Sequence, residues 1–275
     1  MRIDAHLHVW QDPAALDWLT AELAPIHRGF APTEAREAIA AAGFDRAVLV
    51  QAADSDADSE QLLALAEVHE WIAGVVGWVP LDEPSRAQRR LDELVGRPLV
   101  GVRALIHDQP DDRLLDRPVV RETLRLLAER SLPLDVPDAW PAHLPAATRA
   151  AAELEGLVVV LDHLGKPPAN LDELPRWREA LAALAAESTT FAKVSGLHHG
   201  GRALPDEVFD AVWDAALDAF GPERLMLGSD WPMPLLGDGL EPLAAQLERA
   251  IASLSRAERH DLEAGTAARA YRLEV

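Results

Sequence analysis

The sequence predicts a single (β/α)₈ barrel. Eight short runs rich in Val, Ile and Leu alternate with longer Ala-, Leu-, Glu- and Arg-rich segments of helical period, a pattern typical of strand–helix units around a parallel sheet. The units recur roughly every 30 residues, and 275 residues is an ordinary length for such a barrel. No Pro-, Gly- or Ser-rich linker separates two halves, so residues 1–275 are expected to form one domain. A doubly wound open sheet is the alternative, but the glycine-rich phosphate loops that usually accompany it are absent from the sequence.

The predicted elements alternate along the whole chain. The strands are expected at 2–8, 46–52, 72–79, 99–106, 132–136, 157–163, 190–195 and 224–229. The helices are expected at 33–42, 57–70, 85–95, 118–130, 145–155, 173–186, 205–220 and 240–253, and several begin with Thr, Ser, Asp or Pro, as helix starts do. One more helix, at 256–270, is expected to close the bottom or the side of the barrel.

A long loop follows the first predicted strand. It runs from about Val9 to Thr33, contains Trp18 and three prolines, and shows little periodicity. Loops of this length are usually functional or disordered, and in a barrel this one leaves the end where substrates bind. We expect it to form a partial lid.

Composition excludes several classes of function. The net charge is −20, from 26 Lys and Arg against 46 Asp and Glu, which would repel nucleic acid and anionic membrane surfaces. The chain has no cysteine, so disulfides, thiolate metal sites and cysteine nucleophiles are excluded, and any metal must be held by His, Asp or Glu. Neither a secretory signal nor an apolar run long enough to cross a bilayer is visible. We expect a cytoplasmic protein acting on a small molecule, with a homodimer left open.

The first strand carries a histidine pair. His6 and His8 are two residues apart, so in a strand they share a face, with Asp4 behind them. Two imidazoles near the carboxyl end of a barrel strand suit a divalent metal. Two histidines hydrogen-bonded in a core or at a rim explain this short motif equally well.

Other predicted strands also end in polar residues, as barrel active sites require. These residues are Gln51, Arg103, His107, Asp135, His163, Lys193 and Asp230. Asp230 follows an apolar run and therefore needs a cation or hydrogen-bond donors, and a helix cap is disfavoured because no helical pattern begins before about Glu241.

His163 and Lys193 each have a structural alternative. Alternation along the strand predicts that Asp162 and His163 face opposite ways. Taken by itself, His163 could also be a hydrogen-bonded histidine of the core. Lys193 is one of two lysines in the chain and lies in an apolar strand, so it must be paired, functional, or extended to solvent at the rim. His143, His198 and His199 follow predicted strands, where substrate contact and an ordinary polar loop are equally good explanations.

Four motifs together resemble a known family. DAHLH at 4–8, DHLGKP at 162–167, KVSGL at 193–197 and GSDWP at 228–232 resemble the amidohydrolase superfamily. More narrowly, they are similar to its amidohydrolase-2 branch, in the group that contains L-fuconolactone and L-rhamnonolactone hydrolases and a pyrone-dicarboxylate lactonase. Segments 48–52, 74–79 and 101–103 extend the resemblance over nearly the whole chain. The sequence departs from the group's pattern at Ala104, commonly a histidine, and at GTAA, residues 265–268, where Gly-x-Asn-Ala is common.

The resemblance implies a lactone hydrolase with at most one metal, because the carbamate lysine and the strand-five histidine of binuclear relatives have no counterpart. His6, His8 and Asp230 would hold a divalent ion, zinc or alternatively manganese, although one lactonase type of this group works without metal. Asp230 would take a proton from the attacking water, and His163 would polarise the carbonyl or complete the metal shell.

Arg103, Lys193 and His107 would bind substrate. Two alternatives remain: a metal-dependent decarboxylase of the same branch, and a non-catalytic barrel that binds a metabolite.

Overall fold

The computed structural model describes residues 1–274 and shows a parallel eight-stranded barrel, as predicted. The barrel strands are β1 (Ile3–Leu7), β2 (Arg46–Val50), β3 (Ile72–Gly77), β4 (Leu99–Arg103), β5 (Leu134–Val136), β6 (Val159–Leu161), β7 (Thr190–Val194) and β8 (Leu225–Leu227). Each strand pairs in parallel with the next strand along the chain, from β1 to β8.

The barrel closes just beyond the end of β8. The backbone N–H of Asp230 donates to the carbonyl of His6 over 2.8 Å, and the N–H of His8 donates to the carbonyl of Trp231 over 2.8 Å. These bonds join β1 to the segment after β8 at the carboxyl end of the barrel. The residues predicted to hold a metal therefore lie on the line where the first and last strands meet.

Eight helices surround the barrel: α1 (Pro32–Ala41), α2 (Asp56–Val68), α3 (Pro84–Glu93), α4 (Pro118–Glu129), α5 (Leu144–Glu153), α6 (Leu174–Ala185), α7 (Asp206–Phe220) and α8 (Glu241–Ile251). One apolar cluster fills the space between helices and strands, and a second, which includes Val48, Val76 and Met226, fills the barrel interior. Across residues 1–274, no helix combines the length and the hydropathy needed to span a membrane.

The chain after α8 closes the amino end of the barrel. It comprises α9 (Arg256–His260), a π-helical turn (Asp261–Gly265) and α10 (Thr266–Tyr271), which follow one another without a break, so the helix predicted at 256–270 is confirmed with a π-helical turn inside it. Ala267, Ala270 and Tyr271 pack into the interior cluster together with Ile3, at the start of β1. The C-terminal segment is therefore part of the barrel core.

The loop after β1 is packed against the body of the barrel. It contains two short 3₁₀ turns, Pro13–Ala15 and Ala21–Leu23. Several of its large side chains are buried, among them Trp10, Ile26 and Phe30. This packing holds the loop in one place beside the carboxyl ends of the strands.

Candidate active site

A cavity of about 230 Å³ opens at the carboxyl ends of the strands. Its lining combines apolar side chains with charged groups and histidines from several strand ends and loops. They include His8, Trp18, Arg103, Leu105, His107, Asp138, His163, Lys166, His198, Asp230 and Met233. The size and the mixed lining suit a small polar molecule.

A bulge in β1 orients the two predicted histidines. Ile3 and Ala5 pack in the barrel interior, and the pairing of β1 with β2 shifts register between Asp4 and Leu7. Oδ1 of Asp4 accepts hydrogen bonds from the N–H groups of His6 at 3.0 Å and Ser229 at 2.8 Å. Asp4 therefore faces away from the interior and fixes the bulge. Regular alternation predicted instead that Asp4 lies behind His6 and His8 on the same face of the strand.

The two histidine rings meet at their Nε2 atoms, which are 3.1 Å apart. Nδ1 of His8 lies 2.8 Å from the carbonyl of Val50, so this nitrogen carries the ring proton and donates it. Burial lowers the pKa of His8 to about 3 and the pKa of His6 well below its usual value, so both rings are neutral at pH 7. Nε2 of His8 therefore presents a lone pair toward His6.

Asp230 faces three imidazoles. Its Oδ1 lies 3.8, 3.7 and 3.7 Å from Nε2 of His6, His8 and His163. Its Oδ2 lies 3.0 Å from Nε2 of His198. Burial alone would raise the pKa of Asp230, but His163 and the hydrogen bond from His198 hold it well below its usual value. The carboxylate is therefore ionised at neutral pH.

The end of β6 brings two neighbouring residues into the site, which corrects the prediction that Asp162 and His163 face opposite ways. β6 ends at Leu161, Asp162 points into the barrel, and His163 has a φ of +54°, so the chain turns and both side chains reach the site. Nδ1 of His163 lies 2.9 Å from Oγ of Ser195. A Cβ at Gly196 would lie 2.4 Å from Nδ1 of His163, so this position requires glycine.

Two groups of donor atoms could hold a metal ion. One comprises His6, His8 and Asp230, as predicted, and the other comprises His6, Asp162 and His163. Neutral imidazole nitrogens with one carboxylate are a donor set that Zn²⁺ takes in proteins. Two nitrogens bound to one tetrahedral zinc stand about 3.3 Å apart. The 3.1 Å between Nε2 of His6 and Nε2 of His8 fits this value.

The residues predicted to bind substrate are divided between the cavity and the layer below it. Arg103 and His107 line the cavity, and Nη1 of Arg103 lies 3.2 Å from Oδ2 of Asp162. Lys193 is fully buried, and its Nζ donates to Oδ2 of Asp135 over 2.6 Å. The substrate contact predicted for Lys193 is therefore not available in this structure.

Several cavity residues were not predicted as site residues. His198 is buried against Asp230, although the loop sequence suited an ordinary polar segment equally well. Lys166 lines the cavity, and its Nζ donates to the carbonyl of Gly196 over 3.0 Å. Its position in the DHLGKP motif, as one of only two lysines in the sequence, was the available signal. His143 and His199 do not line the cavity.

Comparison with known proteins identifies the family. A family model described as Amidohydrolase matches residues 3–273. The chain belongs to this family. This amidohydrolase is 37% identical over 287 residues to the L-fucono-1,5-lactonase of Burkholderia multivorans, covering 99% of this chain and 96% of the relative. It is 34% identical to the L-fucono-1,5-lactonase of Burkholderia ambifaria, covering 86% of this chain and 81% of that relative.

A solved structure agrees with this assignment. The crystal structure of a Burkholderia multivorans amidohydrolase with bound zinc superimposes on this amidohydrolase with a TM-score of 0.91 and 36% identity, covering 100% of both chains. The fold and the hydrolase class predicted from the sequence motifs are thereby confirmed.

Proposed function

We propose that the protein hydrolyses a sugar-derived lactone, with Asp230 accepting a proton from the attacking water. The observation that carries the proposal is the position of Oδ1 of Asp230, which faces Nε2 of three histidines at the inner end of the cavity. Two relatives named L-fucono-1,5-lactonase support an aldonolactone as the substrate.

His6, His8 and Asp230 would hold a divalent ion, with zinc favoured over manganese because the donors are two imidazoles and one carboxylate. The name of the zinc-bound relative supports the same choice. When bound, such an ion would lower the pKa of a water to about 7 and so make a nucleophile at neutral pH. Without an ion, Asp230 would serve as the base alone.

The side chains around Asp230 would each make one contact with the reacting groups or with the base. His198 donates to Oδ2 of Asp230 and so keeps Oδ1 directed at the floor of the cavity. In this proposal Ser195 donates to Nδ1 of His163, which leaves the Nε2–H of His163 to bind the lactone carbonyl oxygen. Arg103 and Lys166, both on the cavity wall, would stabilise the negative charge on the ring oxygen as its bond to the carbonyl carbon breaks, and the proton accepted by Asp230 would then pass to that oxygen.

The cavity lining also fits a polyhydroxylated ring. Asp138, His107 and Lys166 offer hydrogen-bond acceptors and donors to hydroxyl groups, and Oδ1 of Asp138 is buried without a protein partner. Trp18 and Met233 provide apolar contact for the C–H faces of such a ring. A volume of about 230 Å³ suits a single sugar unit rather than an oligosaccharide.

The test is a pH-indicator assay of purified protein on a panel of aldonolactones, with and without a chelator, combined with elemental analysis of the protein. We expect acid release from at least one lactone. Asp230→Asn should lower kcat by roughly 10²–10⁴-fold, the usual contribution of a positioned base. Asp210→Asn, a change of the same chemistry on the outer helix α7, should leave kcat unchanged.

Two outcomes would contradict the proposal. One is lactone hydrolysis by Asp230→Asn at the wild-type rate. The other is release of CO₂ from a carboxylated substrate without consumption of water, which would indicate a decarboxylase on the same barrel.

A further inference from the structure

A cluster of buried charged groups lies directly below the cavity. Asp135, Asp162 and Lys193 are at most 1% exposed, as is His6 above them. Nζ of Lys193 lies 2.6 Å from Oδ2 of Asp135, 2.9 Å from Oδ1 of Asp162 and 3.1 Å from Nδ1 of His6. The contacts with Asp135 and His6 are hydrogen bonds, and the contact with Asp162 is an ion pair without a regular hydrogen bond. Within this cluster, only His6 also belongs to the proposed metal site.

The C-terminal helix anchors this cluster from below. Tyr271, at the end of α10, donates from its hydroxyl to Oδ2 of Asp135 over 2.7 Å. That oxygen is also the one that accepts from Lys193. Asp135 is therefore held between Tyr271 and Lys193, which fixes the ammonium with respect to the barrel.

Oδ1 of Asp162 is a buried acceptor without a regular hydrogen bond. It lies 2.9 Å from Nζ of Lys193 and 3.3 Å from Nδ1 of His6, but the angles are unfavourable in both cases. Oδ2 of the same carboxylate accepts from Nη1 of Arg103 over 3.2 Å. A buried carboxylate oxygen without a donor is costly, so a proton on Nδ1 of His6 would have a ready acceptor.

His6 can carry its ring proton on either nitrogen. With the proton on Nε2, Nδ1 accepts from Lys193 and Nε2 donates to Nε2 of His8. With the proton on Nδ1, Lys193 can no longer donate to this nitrogen, Oδ1 of Asp162 is an acceptor 3.3 Å away, and the lone pairs on Nε2 of His6 and His8 face each other across 3.1 Å. Only the second arrangement presents both nitrogens to a cation.

We propose that Asp162 is a positioning residue that selects the second tautomer of His6, so that Nε2 of His6 faces the same point as Nε2 of His8 and Oδ1 of Asp230. Lys193 holds Asp162 in place, and Tyr271 holds Lys193 through Asp135. This inference rests on the metal site of the proposed function. It gives Lys193 a role below the cavity in place of the predicted contact with substrate.

The first test is titration calorimetry of the metal-stripped full chain with zinc chloride alone. Removing a partner of this kind lowers metal affinity by roughly 10–100-fold, and we expect a loss in that range for Asp162→Asn. Asp58→Asn, which changes a partly buried carboxylate away from the cluster, should bind zinc like the wild type. Equal zinc affinity in Asp162→Asn and the wild type would overturn the positioning role of Asp162 but not the proposed metal site.

The second test measures the wild type, so it stands even if Asp162→Asn fails to fold. ¹⁵N NMR of histidine-labelled wild type reports which ring nitrogen carries a proton, and His6→Gln assigns the signals of His6. With zinc bound, we expect Nδ1 of His6 to be protonated. An unprotonated Nδ1 with zinc bound would overturn the inference, and a wild type that binds no zinc would overturn the metal site together with it.

Tyr271→Phe provides a milder perturbation of the same cluster. It should weaken zinc binding less than Asp162→Asn, because Tyr271 acts on Asp162 only through Asp135 and Lys193. Thr190→Val removes a buried hydroxyl that bonds only to the carbonyls of Leu184 and Glu187, so it is the matched control. It should lower stability without changing zinc affinity.

Discussion

Nε2 of His198 lies 3.0 Å from Oδ2 of Asp230, the carboxylate oxygen that does not face the three imidazoles. The backbone N–H of Gly201 donates to Nδ1 of His198 over 3.2 Å, so the ring proton of a neutral His198 is on Nε2. The short hairpin formed by His198–His199 and Arg202–Ala203 holds this ring in place. One histidine thus fixes the rotation of the carboxylate, and the other three surround its second oxygen.

His198→Ala should therefore lower kcat and leave KM nearly unchanged. A hydrogen bond to a charged group contributes about 1.5–3 kcal/mol, which corresponds to a loss of roughly 10–100-fold in kcat. Steady-state kinetics on the best lactone measures both constants. His199→Ala, at the next residue and outside the cavity lining, is the control and should keep the wild-type kcat. A wild-type kcat in His198→Ala would show that Asp230 needs no such partner.

Trp18 should contribute to substrate binding more than to the chemical step. Its Nε1–H donates to the carbonyl of Ala52 over 2.7 Å, and Trp10 packs against it edge to face, so the indole is held at the cavity wall. We expect Trp18→Ala to raise KM by roughly tenfold, about 1.4 kcal/mol of binding, with kcat within about twofold of the wild type. Trp71→Ala removes an indole outside the cavity lining and should leave KM unchanged. A lower kcat at constant KM in Trp18→Ala would contradict this role.

Zinc should stabilise the folded protein through the predicted ligands. An ion at about 100 times its Kd adds about 2.7 kcal/mol to the free energy of unfolding, which raises Tm by roughly 5–10 °C in a chain of this size. Differential scanning calorimetry with and without zinc chloride measures the shift. His8→Gln should lose most of the shift, and His69→Gln, which changes a histidine outside both candidate metal groups, should retain it. The same shift in both variants would place the ion elsewhere.

Asp58 should make stability depend on pH. Its Oδ2 accepts from the N–H of Ala52 over 3.0 Å, and burial raises its pKa to about 6. The unfolded carboxyl has a pKa near 3.9, so between about pH 4 and pH 6 the folded state binds more protons and stability falls as pH rises. Relative to the wild type, Asp58→Asn should gain about 1–3 kcal/mol between pH 4 and pH 7.

Urea unfolding at both pH values checks the prediction for Asp58. Asp17→Asn, which changes an exposed carboxylate in the loop after β1, is the control and should show no such gain. A difference in stability between wild type and Asp58→Asn that does not vary with pH would contradict the assignment.

Sequence patterns predicted the barrel because each strand and helix has its own local signal. The β-branched strand runs and the helical periods lie within a few residues of the observed elements, since buried parallel strands and amphipathic helices differ in hydrophobic period. The helix predicted at 256–270 is present, but the π-helical turn inside it has no such signal in the sequence.

The site was predictable only where residues alternate regularly along a strand. His6, His8, Arg103, His163 and Asp230 were predicted, and the structure brings them together. The position of Asp4 relative to the histidine pair and of Asp162 relative to His163 was predicted wrongly, because a bulge in β1 and the left-handed conformation of His163 break the two-residue period. The depth of Lys193 within the barrel depends on which residues surround it from other strands, and no short stretch of sequence contains that information.

The closure of the barrel has a consequence for synthesis of the protein. His6 and Asp230 are joined by a backbone hydrogen bond across the seam between the first strand and the segment after the last one. A ribosome that has made the first 200 residues has already released both histidines of β1 but has not yet made Asp230. Since pairing of distant segments comes late in folding, the growing chain lacks the base proposed here, Asp230, until β8 and the segment after it are in place. On the proposed mechanism, activity therefore requires that the segment after β8 has been made and has paired with β1.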